Sequence, residues 1–173
     1  HPGIDIVMTG MVGSRQGWEG TDYLACPVDL KDLSKSLISV KFTKQNRVFI
    51  IPGLALNDKD NPDVMRGEET QLLGAGTDNK MEIFCLPGTH SKWVIMQECK
   101  IENFTTCMTG ELFSLLRKHS ILAKQMLGQK PNNDIFLEGV QHSQKSHGLL
   151  IDIFKLRVKA LSDQLRTEHT SSY

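Results

Sequence analysis

Two short apolar runs, Ile83–Leu86 and Trp93–Met96, stand either side of Pro87-Gly88-Thr89-His90-Ser91-Lys92. Each run is too short for a helix, and Pro-Gly is a strong chain-reversal signal, so residues 81–98 are constrained to a β-hairpin. The turn carries a glycine, two hydroxyls, an imidazole and an ammonium. Gly88 lets backbone approach a ligand closely, successive N–H groups can form an anion nest, and Lys92 adds charge. The same composition suits an ordinary polar hairpin tip, and on these residues alone both readings stand.

A chain of 173 residues suits one domain with a real core, or two small lobes. Lys+Arg and Asp+Glu are both 20, so there is no basic excess for nucleic acid or a membrane surface. No apolar stretch is long enough to cross a bilayer, and the N-terminus has no charged-then-apolar leader. Cys26, Cys85, Cys99 and Cys107 lack C-x-x-C spacing, which argues against a zinc site or disulfide framework. The expectation is a cytoplasmic protein with reduced thiols.

Ile4–Met8 is a β-branched run expected as a buried strand, followed by the glycine-rich loop Gly10-Met11-Val12-Gly13-Ser14-Arg15-Gln16-Gly17-Trp18. Ligands of open α/β sheets sit beyond the carboxyl ends of strands, and this loop leaves one. Its spacing fits neither a Walker loop nor a dinucleotide fingerprint. Arg15 is the side chain there best suited to grip a carboxylate. Asp29 is placed to cap a helix with Leu30, Leu33 and Leu37 on one face, and Arg47–Ile51 is a second buried strand ended by Pro52-Gly53. Strand, helix, strand predicts parallel α/β in this third of the chain.

Residues 63–76 read as a helix starting near Gly67 and stopped by Gly74 and Gly76. Glu68 and Glu69 then occupy its first turn, where the dipole favours a carboxylate that can serve as a base. Acidic residues are also common there for stability alone. After the hairpin, Lys100–Cys107 is expected as a strand, and Met108–His119 as a helix capped by Thr109 with Leu112, Leu115 and Leu116 inward. Asp134 is placed to cap a short helix through Ile135, Phe136 and Val140. His142 and His147 lie in a polar connector without acidic companions. Gly148–Leu165 is expected as a long helix whose stripe, Leu150, Ile153, Phe154, Val158, Leu161 and Leu165, is core.

This order of elements resembles the actin-like sugar-kinase superfamily, in which two ribonuclease-H-like lobes close on ATP and sugar and the phosphate loops are hairpins. The motifs Gly10-Met11-Val12-Gly13-Ser14 with Gly17-Trp18 and Tyr23, Pro52-Gly53-Leu54, Val64-Met65-Arg66-Gly67-Glu68-Glu69-Thr70-Gln71, Pro87-Gly88-Thr89-His90-Ser91-Lys92-Trp93 and Met108-Thr109-Gly110-Glu111-Leu112 are similar to the 2-dehydro-3-deoxygalactonokinase family. They appear in the same order and cover nearly all of the chain.

The resemblance implies an ATP- and Mg²⁺-dependent kinase acting on the C6 hydroxyl of 2-dehydro-3-deoxy-D-galactonate in galactonate breakdown. Its partners would be the sugar acid and ATP, with no nucleic acid or membrane. The hairpin would be the second phosphate loop, Gly88 and Thr89 touching the β- and γ-phosphates with His90, Ser91 and Lys92 near them. Glu68 or Glu69 would be the catalytic base. Ser14, Arg15, Trp18 and Arg66 would serve the sugar acid. No metal ligand is implied beyond phosphates and one or two unassigned carboxylates. Residues 1–80 would belong to the first lobe, ending in the acidic connecting helix, and 81–173 would begin the second.

Kinases of this kind also carry an Asp-Gly-Ser/Thr loop before the matched region and an adenosine motif after it. The expected fold class is therefore α/β, ribonuclease-H-like sugar-kinase lobes that are incomplete, lacking the N-terminal phosphate-loop strands and the C-terminal adenosine-site elements. Open sheet edges would invite pairing with another copy. The competing expectation is a non-catalytic actin-like binding or assembly module that keeps the hairpin but not the reaction.

Overall fold

The computed structural model describes residues 3–41, 46–75, 80–146 and 148–173, and of Lys41 the backbone alone. Gly76 and His147, expected as a helix stop and a connector residue, lie outside the described residues. The chain divides into two compact units, His1–Thr109 and Gly110–Tyr173.

Among the described residues, the first unit contains three small sheets. In one, β1 (Ile6–Met8) runs parallel to β5 (Arg47–Ile50), which pairs antiparallel with β4 (Ile38–Lys41). In another, β2 (Tyr23–Ala25) runs parallel to β6 (Gly53–Leu56), itself antiparallel to β7 (Asp63–Met65). The parallel pairing expected of the strands now seen as β1 and β5 is present, and β2 with β6 adds a second that was not expected, each beside an antiparallel neighbour. The third sheet has the order β3 (Val28–Asp29), β10 (Lys100–Cys107), β9 (Ser91–Gln97), β8 (Met81–Leu86), antiparallel throughout.

The hairpin forms where turn chemistry and the short apolar runs predict it, with Leu86 opposite Lys92. Alternation along β9 buries Val94 and Met96 and leaves Trp93 and Ile95 exposed. Lys92 shares the parity of the buried pair. Helix α1 (Leu30–Lys35) is capped as expected, the Asp29 carboxylate accepting the Lys31 N–H at 2.8 Å, and buries Leu30 and Leu33. Helix α2 (Glu68–Ala75) seats Leu72 in the core that also holds Val94, Met96 and Met65. That contact brings the first turn of α2 over the sheet carrying the hairpin.

Several expectations are corrected. β1 is an edge strand and not buried, with Val7 56% exposed, because it has β5 as its one ladder neighbour. Asp63–Met65 is a strand, not a lead-in to helix. Its Asp63 carboxylate accepts the Thr106 N–H at 2.6 Å and hydroxyl at 2.7 Å, long-range bonds that override local propensity. Gly53 both follows one strand and opens the next.

The second unit is helical. Helix α3 (Thr109–His119) enters it from the first, and α4 (Asn133–Ser143) and α5 (Leu149–Leu161) follow. The cap of α4 is Asn132, accepting the Ile135 N–H at 3.1 Å, and not Asp134, which lies inside the helix. The expected core stripes are largely open. Leu115 is exposed, as are Phe136 and Val140, and on α5 Leu150 is 82% exposed with Phe154, Val158 and Leu161 also exposed. Periodicity reported an apolar face, but nothing among the described residues covers it. Leu165 is buried as expected, though beyond the end of α5.

No helix among the described residues is long and apolar enough to cross a membrane, and all four cysteines are free thiols.

Candidate functional site

A cleft of ≈ 580 Å³ in the first unit is lined by Thr9 and Met11 after β1, by Arg66, Gly67, Glu68, Thr70 and Gln71 at the head of α2, and by Leu86–His90 of the hairpin. It therefore lies beyond the carboxyl end of β1, the position ligands favour in α/β sheets.

The turn into α2 is built on Gly67, whose φ of +113° lies in the region that side chains avoid. A Cβ there would also stand 3.2 Å from the Gly10 Cα, so glycine lets the loop after β1 close against the helix start. Two consecutive carboxylates follow, and their environments differ sharply. Glu69 is fully buried; it accepts the Gly67 N–H at 2.7 Å and the Thr9 hydroxyl at 3.1 Å. Burial raises its carboxyl above the ordinary range, its own backbone bond and those from Gly67 and Thr9 oppose this, and the Glu68 charge adds to the rise. Glu68 lines the cleft with 22% of its side chain exposed. One of its oxygens accepts the Arg66 N–H at 3.0 Å, and the other lies 3.4 Å from the Lys92 ammonium.

At the hairpin tip, Gly88 donates its N–H to the Ser91 hydroxyl at 3.3 Å. Ser91 and Thr109 hydroxyls are hydrogen-bonded to one another, and Thr109 also donates to the Gly88 carbonyl at 3.4 Å. The expected cap of α3 thus braces the hairpin. Among the described residues, a Cβ on Gly88 would meet only the His90 carbonyl, at an ordinary 3.8 Å. The chain's own packing leaves room for a side chain at this position.

The structure brings together Arg66, Glu68, Gly88, Thr89 and His90 around the cleft. Ser91 and Lys92 are buried and are not among its lining residues, and neither is Glu69. Ser14, Arg15 and Trp18 lie on the loop after the 3-10 helix Gly10–Gly13 and do not line the cleft either. Ser14 accepts the Gln16 N–H at 3.2 Å. Arg66 has structural work as well: its guanidinium donates to the Thr21 hydroxyl at 2.5 Å and carbonyl at 2.9 Å, and lies 4.3 Å over the Tyr23 ring. Thr9, Met11, Thr70 and Gln71 were not anticipated as lining residues. The strand-end rule that singled out the Gly10 loop was the signal for Thr9 and Met11.

A profile of the family described as 2-keto-3-deoxy-galactonokinase matches residues 1–173. The chain belongs to that family. It is 37% identical over 168 residues to 2-dehydro-3-deoxygalactonokinase of Escherichia coli (strain K12), covering 97% of this chain and 56% of the relative. A Rhizobium meliloti (strain 1021) protein provisionally given the same enzyme name is 43% identical over 122 residues, covering 69% of this chain and 40% of the relative. The fold matches a crystal structure from Sinorhizobium meliloti, again provisionally named 2-dehydro-3-deoxygalactonokinase, with a TM-score of 0.93 and 32% identity over 99% of this chain and 59% of that one. The chain thus spans about half the length of the curated relatives it matches. In this galactonokinase family member, the mixed α/β fold agrees with the sugar-kinase architecture expected from the motifs.

Among the described residues, no group of three or more His, Cys, Asp or Glu side chains converges to hold a metal ion. An Mg²⁺ carried largely by nucleotide phosphates needs no such cage. No residue here is assigned to it.

Proposed function

We propose that this chain carries the phosphate-loop and base half of an ATP-dependent cytoplasmic kinase that phosphorylates the C6 hydroxyl of 2-dehydro-3-deoxy-D-galactonate in galactonate breakdown. The observation that carries the reading is a single cleft with Glu68 among its walls and the Pro87–His90 turn as another wall. Phosphoryl transfer needs little from a protein beyond in-line positioning, charge stabilisation and a group to accept the attacking hydroxyl's proton.

ATP, when bound, supplies the γ-phosphoryl group: the C6 oxygen forms the new P–O bond as the bond to the β–γ bridging oxygen breaks, and ADP leaves. Glu68 accepts the hydroxyl proton. The hairpin presents backbone at Gly88 and Thr89 to the phosphates, and glycine at 88 keeps the approach clear where the protein's own packing does not require it. Arg66 at the cleft wall, and Arg15 with Ser14 and Trp18 on the neighbouring loop, are the candidates for the sugar acid, a guanidinium being suited to a carboxylate. Glu69, sealed behind the turn, is the second candidate for the base and the less favoured. Assignment of 1–80 and 81–173 to two kinase lobes joined by α2 belongs to the same proposal.

ADP release that depends on the sugar acid and Mg²⁺, assayed with the full-length protein, tests the reading. Glu68→Gln is expected to lower kcat by about 10²–10⁴-fold while sugar-acid binding is retained. Unchanged turnover would remove Glu68 from the role of base. In calorimetry of this chain, sugar-acid binding without ATP would fit a retained half-site of the kinase, and binding of neither ligand would favour the non-catalytic module.

A further inference from the structure

We propose that Lys92 is the positioning residue of the Glu68 carboxylate and not a ligand of the nucleotide phosphates; this deepens the kinase reading and rests on it. Lys92 is central in the sheet, opposite Leu86 on β8 and Thr106 on β10, and is 5% exposed. It shares the buried parity of Val94 and Met96, the face on which the Leu72 side of α2 packs. Its ammonium lies 3.4 Å from Glu68 Oε1. It is absent from the cleft wall that Glu68 helps to form.

A buried ammonium needs a counter-charge, because leaving it unpaired forfeits its hydration without return. Glu68 supplies that charge, and in exchange is held at both oxygens, by the ammonium and by the Arg66 N–H. A carboxylate so fixed keeps one place in the cleft, and displacement of a reacting group by about 1 Å can cost on the order of 10²-fold in rate. Among the described residues, the other charged or titratable groups that line the cleft with Glu68 or act on its neighbour are Glu69 on the same helix, Arg66 on the turn before it and His90 on the hairpin. None of these is buried in the sheet as Lys92 is. The sequence string alone puts Lys92 with the phosphate-loop residues; the parity of β9 and the seat of α2 turn it to Glu68.

The test is a cycle of four full-length proteins that contain this chain: unaltered, Glu68→Gln, Lys92→Met, and both. Lys92→Met is expected to lower kcat about 10–100-fold with the KM for ATP within about twofold, and Lys92→Arg to recover much of the loss. The double variant should turn over at the rate of Glu68→Gln alone, since Lys92 acts through that carboxylate. A raised KM for ATP with kcat retained, or losses that multiply, would overturn the proposal and return Lys92 to the phosphates. If the unaltered protein releases no ADP with the sugar acid, the kinase reading fails separately. The pairing is then decided by thermal unfolding of the same four proteins. A midpoint loss in the double variant smaller than the sum of the single losses supports it, and additive losses overturn it.

Discussion

The Thr9 hydroxyl donates to Glu69 at 3.1 Å, tying the end of β1 to the first turn of α2 across sixty residues of sequence. With the Gly67 N–H on its other oxygen, Glu69 closes the back of the cleft instead of facing it. Neighbouring carboxylates thereby take different places, one lining the cleft and one buried.

Glu69 makes stability depend on pH in a defined direction. Burial, the largest influence, holds its folded value above the unfolded one, so its contribution is full below the ordinary carboxylate value and is lost as pH rises through the folded value. Glu69→Gln cannot ionise. The unfolding midpoint of the unaltered protein, measured relative to Glu69→Gln, should fall as pH rises from the ordinary carboxylate range through the raised folded value. A difference that stays constant as pH rises above the ordinary carboxylate range would contradict the burial argument.

Gly88→Ala separates folding from binding. Among the described residues a Cβ there meets nothing closer than 3.8 Å, so stability should stay within about 0.5 kcal/mol in urea unfolding. If the hairpin backbone takes phosphate, ATP affinity by calorimetry should drop on the order of tenfold, about 1.4 kcal/mol. Unchanged affinity would leave the turn as an ordinary hairpin tip.

Arg66→Lys is not conservative here. Lysine loses the fork onto the Thr21 hydroxyl and carbonyl and the flat stack over Tyr23. The expected loss is about 1–2 kcal/mol in denaturant unfolding. A stability equal to the unaltered protein would show that these contacts contribute little.

The cysteines should separate by reactivity. Burial, with the Glu102 charge second, pushes the Cys26 thiol up to about 11, which keeps it protonated and poorly nucleophilic near neutrality. Cys85 is exposed on β8. Iodoacetamide labelling followed by peptide mass spectrometry should find Cys85 modified well before Cys26. Equal rates would refute the assignment.

Much of the fold was legible in local signals. Turn chemistry at Pro87-Gly88 and the short apolar runs located the hairpin, and Lys100–Cys107 was expected as the strand it is. Asp29 announced α1, and Gly67 followed by two glutamates announced α2. β2, β4, β6 and β7 were not anticipated. They are three or four residues of ladder each, too short for a periodic signal and set by the partner strand, as Tyr23 with Gly53 and Val40 with Val48 show. The stripes of α3 and α5 were visible as periodicity, but their exposure was not, because periodicity identifies an apolar face without saying what meets it.

At the candidate site the same division holds. The residues alone determined that a hairpin with phosphate-suited chemistry follows a helix opening with Glu68 and Glu69, since both features are local. Only the tertiary structure decided which glutamate reaches the cleft and which is sealed behind it. Consecutive helical residues project about 100° apart, so packing of Leu72 on the sheet and closure of Gly10 on Gly67 send one carboxylate outward and the other toward Thr9. The same packing brings Lys92 to Glu68, a pairing across the fold that no spacing along the chain encodes.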